Sequence, residues 1–317
     1  MKVASLQPLR QPALFPPPAC TRTLHQRDIY LPRIRTAIIL AAGFGTRFLP
    51  ATKAVPKEML PLYDRPVIEY IVEEARASGL DKIVIVTSAA KRAVEDHFDR
   101  NRHLEATLRG KPDALGHVVR SGEVEVAFVR QKEMRGQAHA ILGTRFLLGD
   151  EPFALFYPDD VIFGDKPAMR QLLDVHEKYG CNVLAVQKVP HEEIVHYGSI
   201  DSEPVEDRVH KVHHIIEKPK PSEAPSDLGT VGRYVCTSEI WPLLEKTPVT
   251  SGGEMFLTDT FALAMEQGQA LYACEYEGER FDTGRPAGLL KASLYVALHR
   301  PDTAREFRDY LRSLKLD

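Results

Sequence analysis

Between about 36 and 187, short apolar runs alternate with stretches of helical period, and that alternation leaves few folds open. Residues 37–41 are apolar throughout and lead into Gly43, the pattern of a strand buried on both faces. Lys82–Thr87 (KIVIVT) repeats it, and further strands are expected near 124–130, 153–157 and 182–187. Pro66 opens a helix with Val67, Ile68, Ile71, Val72 and Ala75 on one face and Gly79 as its stop. Other helices are expected near 90–108, 137–147 and 167–178. Strand and helix in turn imply an α/β fold: a mostly parallel, Rossmann-like sheet with helices on both faces. After Pro190 the rhythm shortens. Strand-like runs at 197–201, 211–216 and 229–236 are separated by loops rich in proline and serine. Helices near 238–245 and 257–267, a strand at 270–276, and two helices between Arg285 and about Leu314, broken at Pro301, complete the expectation.

Composition narrows the function. The 317 residues carry 41 basic and 44 acidic side chains, so the chain lacks the basic excess of a general nucleic-acid binder, though a local basic pocket stays possible. No run of apolar residues reaches membrane-spanning length, so no membrane association is expected. Cys20, Cys181, Cys236 and Cys274 are isolated, without C-x-x-C spacing, and read as reduced thiols of a cytoplasmic protein, not as disulfides or a zinc site. Residues 1–33 hold six prolines, no amphipathic period and no apolar core of a signal peptide. They are expected to be a disordered tail or an over-extended start.

The first strand runs straight into LAAGFGTRFLP (40–50). Gly43 and Gly45 let backbone N–H groups approach a polyanion, and Arg47 adds a planar cation suited to phosphate oxygens. Lys57, held in VPKEMLP (55–61), offers a second positive charge to the same anion. A P-loop is excluded because no Lys-Ser or Lys-Thr follows the glycines, and a dinucleotide fingerprint because Phe48 stands where its third glycine belongs. Two further acidic segments stand out. Tyr157-Pro158-Asp159-Asp160 ends a strand, where ligands of α/β sheets gather, and Phe281-Asp282-Thr283-Gly284 supplies another carboxylate. Paired acids there suit a hard divalent cation.

The run 40–66 resembles the sugar nucleotidyltransferase family, which joins a nucleoside triphosphate to a sugar 1-phosphate; PATKAVPKEMLP (50–61) resembles the branch that uses UTP and glucose 1-phosphate. The resemblance extends from about 36 to about 298. It implies that Ala42, Gly43, Gly45, Thr46, Arg47 and Lys57 hold the triphosphate, and that Gln131 and Gly136 read the base. It implies Mg²⁺ on Asp159 first and Asp282 second, with Asp160 a neighbour or water ligand. Tyr197, Gly198, Glu217, Lys218 and Gly232 are expected to frame the sugar phosphate, with Arg47, Lys57 and Lys218 as the catalytic cations. The segment GEMFLTD (253–259) also matches and is expected to be mainly architectural, like His139. In one place the chain departs from the family. Where Gly-Leu-Gly-His-Ala is usual, this chain has Gly136-Gln137-Ala138-His139-Ala140, and the methyl of Ala138 is expected near base or ribose, leaving dTTP open as the nucleotide.

The resemblance further implies a nucleotide half over 34–190, a sugar half over 191–284, C-terminal helices over 285–317, and a homo-oligomer, dimer or tetramer. Two other classes remain as alternatives: a glycosyltransferase using a nucleotide sugar, and a non-catalytic nucleotide-sugar sensor. Arg47 with Lys57 speaks against the first, and retention of Lys57 with the metal acids against the second.

Overall fold

The computed structural model describes residues 33–314, so Cys20 and nearly all of the expected tail lie outside the described residues. One nine-stranded sheet organises the rest, in the order Val126–Arg130, Lys82–Thr87, Thr36–Leu40, Phe153–Phe156, Leu228–Cys236, Asn182–Lys188, Leu271–Glu275, Val209–Glu217, Gly198–Glu206. The first four strands are parallel. Leu228–Cys236 then enters antiparallel between Phe153–Phe156 and Asn182–Lys188. Beyond it only Asn182–Lys188 and Leu271–Glu275 pair in parallel, and the edge hairpin is antiparallel. The expected parallel sheet is therefore found over its first half, and the second half is mixed. The reason is local: Gly198–Glu206 and Val209–Glu217 are joined by Asp207-Arg208 alone, with Arg208 at φ 58°, and so short a connection forces a hairpin.

Burial on both faces explains the unbroken apolar runs. Ala37, Ile39 and Ala41 point into a cluster with helices Val67–Ala77 and Ala168–Tyr179, while Ile38 points the other way, toward helices Gly136–Leu142 and Leu257–Glu266. The expected helix at 137–147 is two pieces, Gly136–Leu142 and Arg145–Leu148, separated at Gly143. A helix and a two-stranded ribbon add to the expected elements. Helix Pro112–Gly122 opens on Pro112 and is amphipathic, with Ala114, Leu115, Val118 and Val119 half-buried. A short ribbon pairs Asp160–Phe163 with Glu279–Asp282, register Asp160 opposite Asp282. Among the described residues Cys181, Cys236 and Cys274 are free and buried, and burial pushes the Cys181 thiol up to about 12. Among the described residues no helix is long and apolar enough to cross a membrane.

One ion pair ties these layers together. Arg233 is fully buried on Leu228–Cys236 and donates to the Glu74 carboxylate of helix Val67–Ala77 at 3.0 and 2.7 Å. Glu74 also accepts from the Met169 N–H at the start of helix Ala168–Tyr179 (3.1 Å). The same guanidinium donates to the carbonyls of Tyr157 (3.2 Å) and Asp160 (2.6 Å), bracketing Pro158 and Asp159. Removing one partner of a buried pair leaves an uncompensated charge, so Arg233→Met is expected to lower the unfolding free energy by about 3–5 kcal/mol in urea melts. A loss below about 1 kcal/mol, the size of an exposed pair, contradicts this role.

Candidate active site

The segment after the first strand is shaped by sterics. Gly45 has φ +66°, and a Cβ there would lie 3.1 Å from the Lys57 Cβ and 3.2 Å from the Thr52 Cγ2. Both backbone conformation and space therefore call for glycine. The Thr52 hydroxyl donates to the Gly45 carbonyl at 2.8 Å and closes the turn. Gly43 faces open space, with nothing within 4 Å of a would-be Cβ, and Ala42 just before it is buried. The single turn Thr46–Phe48 carries Arg47 to the wall of a cleft.

A second turn, Lys57–Met59, alternates its charges outward and inward. Lys57 Nζ donates to Asp159 Oδ2 at 2.7 Å. Glu58 is buried beneath it and receives Lys91 Nζ at 2.7 and 2.9 Å, so the turn that presents Lys57 is anchored from behind. Burial works against both members of the Glu58–Lys91 pair, raising the carboxyl and lowering the ammonium, while their mutual attraction opposes it. At Lys57 and Asp159 burial also disfavours charge, but attraction wins: Lys57 is held above the usual lysine range and Asp159 below the usual carboxylate range. Both are ionised at neutral pH. The sequence assigns no role to Glu58, though it stands beside Lys57, or to Lys91; each reads alone as an ordinary surface charge.

The ribbon brings the acidic segments together. A Cβ on Gly284 would lie 2.9 Å from Asp159 Oδ2 and 3.0 Å from Asp282 Oδ1, so both carboxylates border the space this glycine leaves free. The Thr283 N–H and hydroxyl donate to the Asp159 carbonyl at 2.8 and 3.0 Å and hold the two turns in register. Among the described residues no three His, Cys, Asp or Glu side chains cluster as a closed metal cage. Two convergent carboxylates still fit a cation such as Mg²⁺, which keeps waters and takes its remaining oxygens from phosphate. Asp160 is a neighbour and not a free ligand: its oxygens receive Arg280 and the Gly232 N–H (2.9 Å).

At the other end of the cleft, glycines again mark close approach. A Cβ on Gly232 would sit 2.5 Å from the Tyr157 Cβ and 2.6 Å from Asp160 Oδ2, and one on Gly198 2.8 Å from the Thr230 hydroxyl. Lys218 occupies the left-handed region at φ 46°, a strained position for a side chain, pinned by its N–H to the Tyr197 carbonyl at 3.0 Å. Its ammonium lies 3.2 Å from Glu217, which also accepts from the Thr258 hydroxyl (3.1 Å). Arg280, which the sequence reading passed over, donates to the Tyr197 hydroxyl at 3.1 Å and stacks over that ring at 5.2 Å. Arg285, also passed over, lies 3.3 Å from Asp282. Their flanking of the Phe281–Gly284 segment was the available signal.

Arg47, Asp159, Tyr197, Gly198, Glu217, Lys218, Gly232 and Asp282 thus line one cleft, and Lys57 reaches it through Asp159. Gln131 and Gly136 lie in the adjoining turn. Gln131 Nε2 donates to the Gly136 carbonyl at 3.2 Å and lies 3.5 Å from His139 Nδ1, beside a separate cavity. Gly136 has φ +87°, and a Cβ there would meet the Met255 carbonyl at 2.5 Å. The 253–259 segment is more than architectural: Met255 exchanges backbone hydrogen bonds with Arg135 (2.9 Å) and Ala138 (3.1 Å), and Leu257 and Thr258 line the cleft. The expectation for Ala138 is corrected. Its methyl is fully buried in the core cluster, because the helix turns that side toward the sheet, and Gln137 enters the cleft instead. Cations, two convergent carboxylates and a polar, aromatic far wall together suit a polyphosphate, a divalent cation and a polyol.

The nucleotidyl transferase family model matches residues 36–298. A protein of Staphylococcus epidermidis named UTP–glucose-1-phosphate uridylyltransferase is 44% identical over 287 residues, 90% of this chain and 99% of that one. A solved UTP-bound UGPase from Acinetobacter baumannii superposes with a TM-score of 0.81 at 36% identity, covering 89% of this chain and all of the other. A UDP-glucose pyrophosphorylase complexed with UDP-glucose gives 0.78 at 36% identity, covering 84% of this chain and all of the other.

Because the Gly232 position has no room for a side chain, Gly232→Ala is expected to cost about 1–3 kcal/mol of stability through overpacking. An unchanged urea midpoint contradicts the close approach.

Proposed function

This chain belongs to the nucleotidyl transferase family, and we propose that it makes UDP-glucose and pyrophosphate from UTP and α-D-glucose 1-phosphate. The observation that carries this reading is the convergence of Arg47, Lys57, Asp159 and Asp282 on a cleft whose other wall presents Tyr197, Glu217 and Lys218. The uridylyltransferase names of its relatives favour UTP over dTTP.

In this reaction a phosphate oxygen of the sugar phosphate attacks the α-phosphorus of UTP in line. A new P–O bond forms, the bond from the α-phosphorus to the bridging oxygen breaks, and the electron pair leaves with pyrophosphate. The attacking phosphate is a dianion, so no side chain need remove a proton, and the protein's task is to position and to neutralise. In the proposed assignment, backbone groups of Ala42, Gly43, Gly45 and Thr46 cradle the triphosphate. Arg47 and Lys57 offset its charge and that of the departing pyrophosphate. In this assignment Lys57 turns from Asp159 to the phosphates, which frees the carboxylate as the triphosphate arrives. Gln131 and Gly136 read the uracil, Glu217 binds sugar hydroxyls, Lys218 meets the sugar phosphate, and Tyr197, Gly198 and Gly232 allow the sugar close to the backbone. Enzymes of the family generally use a divalent metal. Asp159 and Asp282 are the residues that would hold it, and Mg²⁺ bound there would neutralise phosphate charge. A nucleotide half over 34–190, a sugar half over 191–284, C-terminal helices from 285, a homo-oligomer and a cytoplasmic location belong to the same reading.

The test is pyrophosphate release by purified protein with glucose 1-phosphate and Mg²⁺, across UTP, dTTP, ATP, CTP and GTP. Release favouring UTP is expected; release favouring dTTP overturns the nucleotide assignment. Lys57→Ala is expected to lose about a hundredfold or more in kcat while keeping its circular dichroism and thermal melt. Wild-type turnover in that folded variant removes Lys57 from the machinery.

A further inference from the structure

Gln137 follows Gly136 and lines the candidate active-site cleft, as do Arg47, Tyr157 and Tyr234. Since Ala138 is buried in the core, Gln137 is the side chain through which this turn meets the ligand space. Its amide oxygen is buried and has no hydrogen-bond partner among the described residues. A buried carbonyl oxygen without a donor is costly to keep, and each such group calls for an explanation. The usual family residue at this step, leucine, makes no hydrogen bond at all. The unpaired amide therefore belongs to what this chain does with its own ligand.

We propose that Gln137 is a substrate-reading residue whose amide pairs with a sugar hydroxyl, on the ribose of the nucleotide or on the hexose of the sugar phosphate. The chemistry selects a hydroxyl. Phosphate and carboxylate oxygens only accept, so they leave a carbonyl oxygen unsatisfied. A hydroxyl donates to Oε1 or accepts from Nε2, and so serves the amide in either orientation. The uracil edge falls to Gln131 and Gly136 in the proposed assignment. This inference rests on the nucleotidyltransferase reading above.

The test compares kcat/KM of the full-length protein and of Gln137→Leu and Gln137→Met. The substrates are UTP against 2′-deoxy-UTP and 3′-deoxy-UTP, and glucose 1-phosphate against its 2-, 3-, 4- and 6-deoxy forms. The wild type is expected to lose about tenfold or more with one analogue, and the variants to treat that analogue and its parent alike within about twofold. Whether that analogue is a deoxyribose or a deoxyhexose identifies the sugar that is read. Discrimination ratios unmoved by both substitutions, for every analogue, overturn the proposal while leaving the activity intact. Absence of any nucleotide-sugar product from the wild type overturns the activity and the proposal together. Leucine is the family's own residue here and methionine matches glutamine in length, so at least one folded variant is available, as thermal melts check.

Discussion

The contact between Lys57 and Asp159 is the hinge of this structure. Two half-buried charges from segments 102 residues apart meet at 2.7 Å. Such a pair gains little net stability, because desolvation consumes most of the attraction. It persists because each partner is fixed from behind. The Lys57 turn stands on the buried Glu58–Lys91 pair. The Asp159 turn is bracketed by the Arg233 guanidinium at the carbonyls of Tyr157 and Asp160, and by Thr283 at its own carbonyl. A cation and a carboxylate that satisfy each other in the free protein are the two groups that a polyphosphate and a divalent cation would draw apart. The arrangement is a charge-balanced resting form of the proposed reaction site.

The mixed sheet makes that site possible. Its parallel half delivers the 40–50 loop and the Asp159 turn at the carboxyl ends of adjacent strands, where such sheets bind ligands. Its other half brings Leu228–Cys236 back alongside Phe153–Phe156, which sets Gly232 and Arg233 against the Asp159 turn. The ribbon to Glu279–Asp282 then closes the ring by bringing Asp282 in. Gly232 and Gly284 fill no space, and that is their use: each leaves room that a methyl group would take from a carboxylate.

Much of this was legible in the chain itself. Apolar runs and helical periods located most strands and helices, because burial on two faces or on one stripe leaves a local trace. The glycine loop and the acidic strand end point to Arg47 and Asp159 by themselves, whereas Glu217, Lys218 and the role of Asp282 are legible only through the family resemblance; all five line one cleft. The direction of Leu228–Cys236 was not legible, since pairing depends on partners far along the chain. Nor were the roles of Glu58, Lys91, Arg233 and Arg280, whose charges look like surface residues until the fold buries them. Ala138 shows the same limit in small: the substitution was visible, but which of two adjacent side chains faces the ligand depends on how the helix packs on the sheet.

The most direct test of the account is a crystal structure of the protein with Mg²⁺ and UTP. The account predicts that the Lys57–Asp159 contact opens, with Lys57 on phosphate oxygens and Asp159 on the cation. A triphosphate bound elsewhere, with the 2.7 Å contact intact, contradicts it.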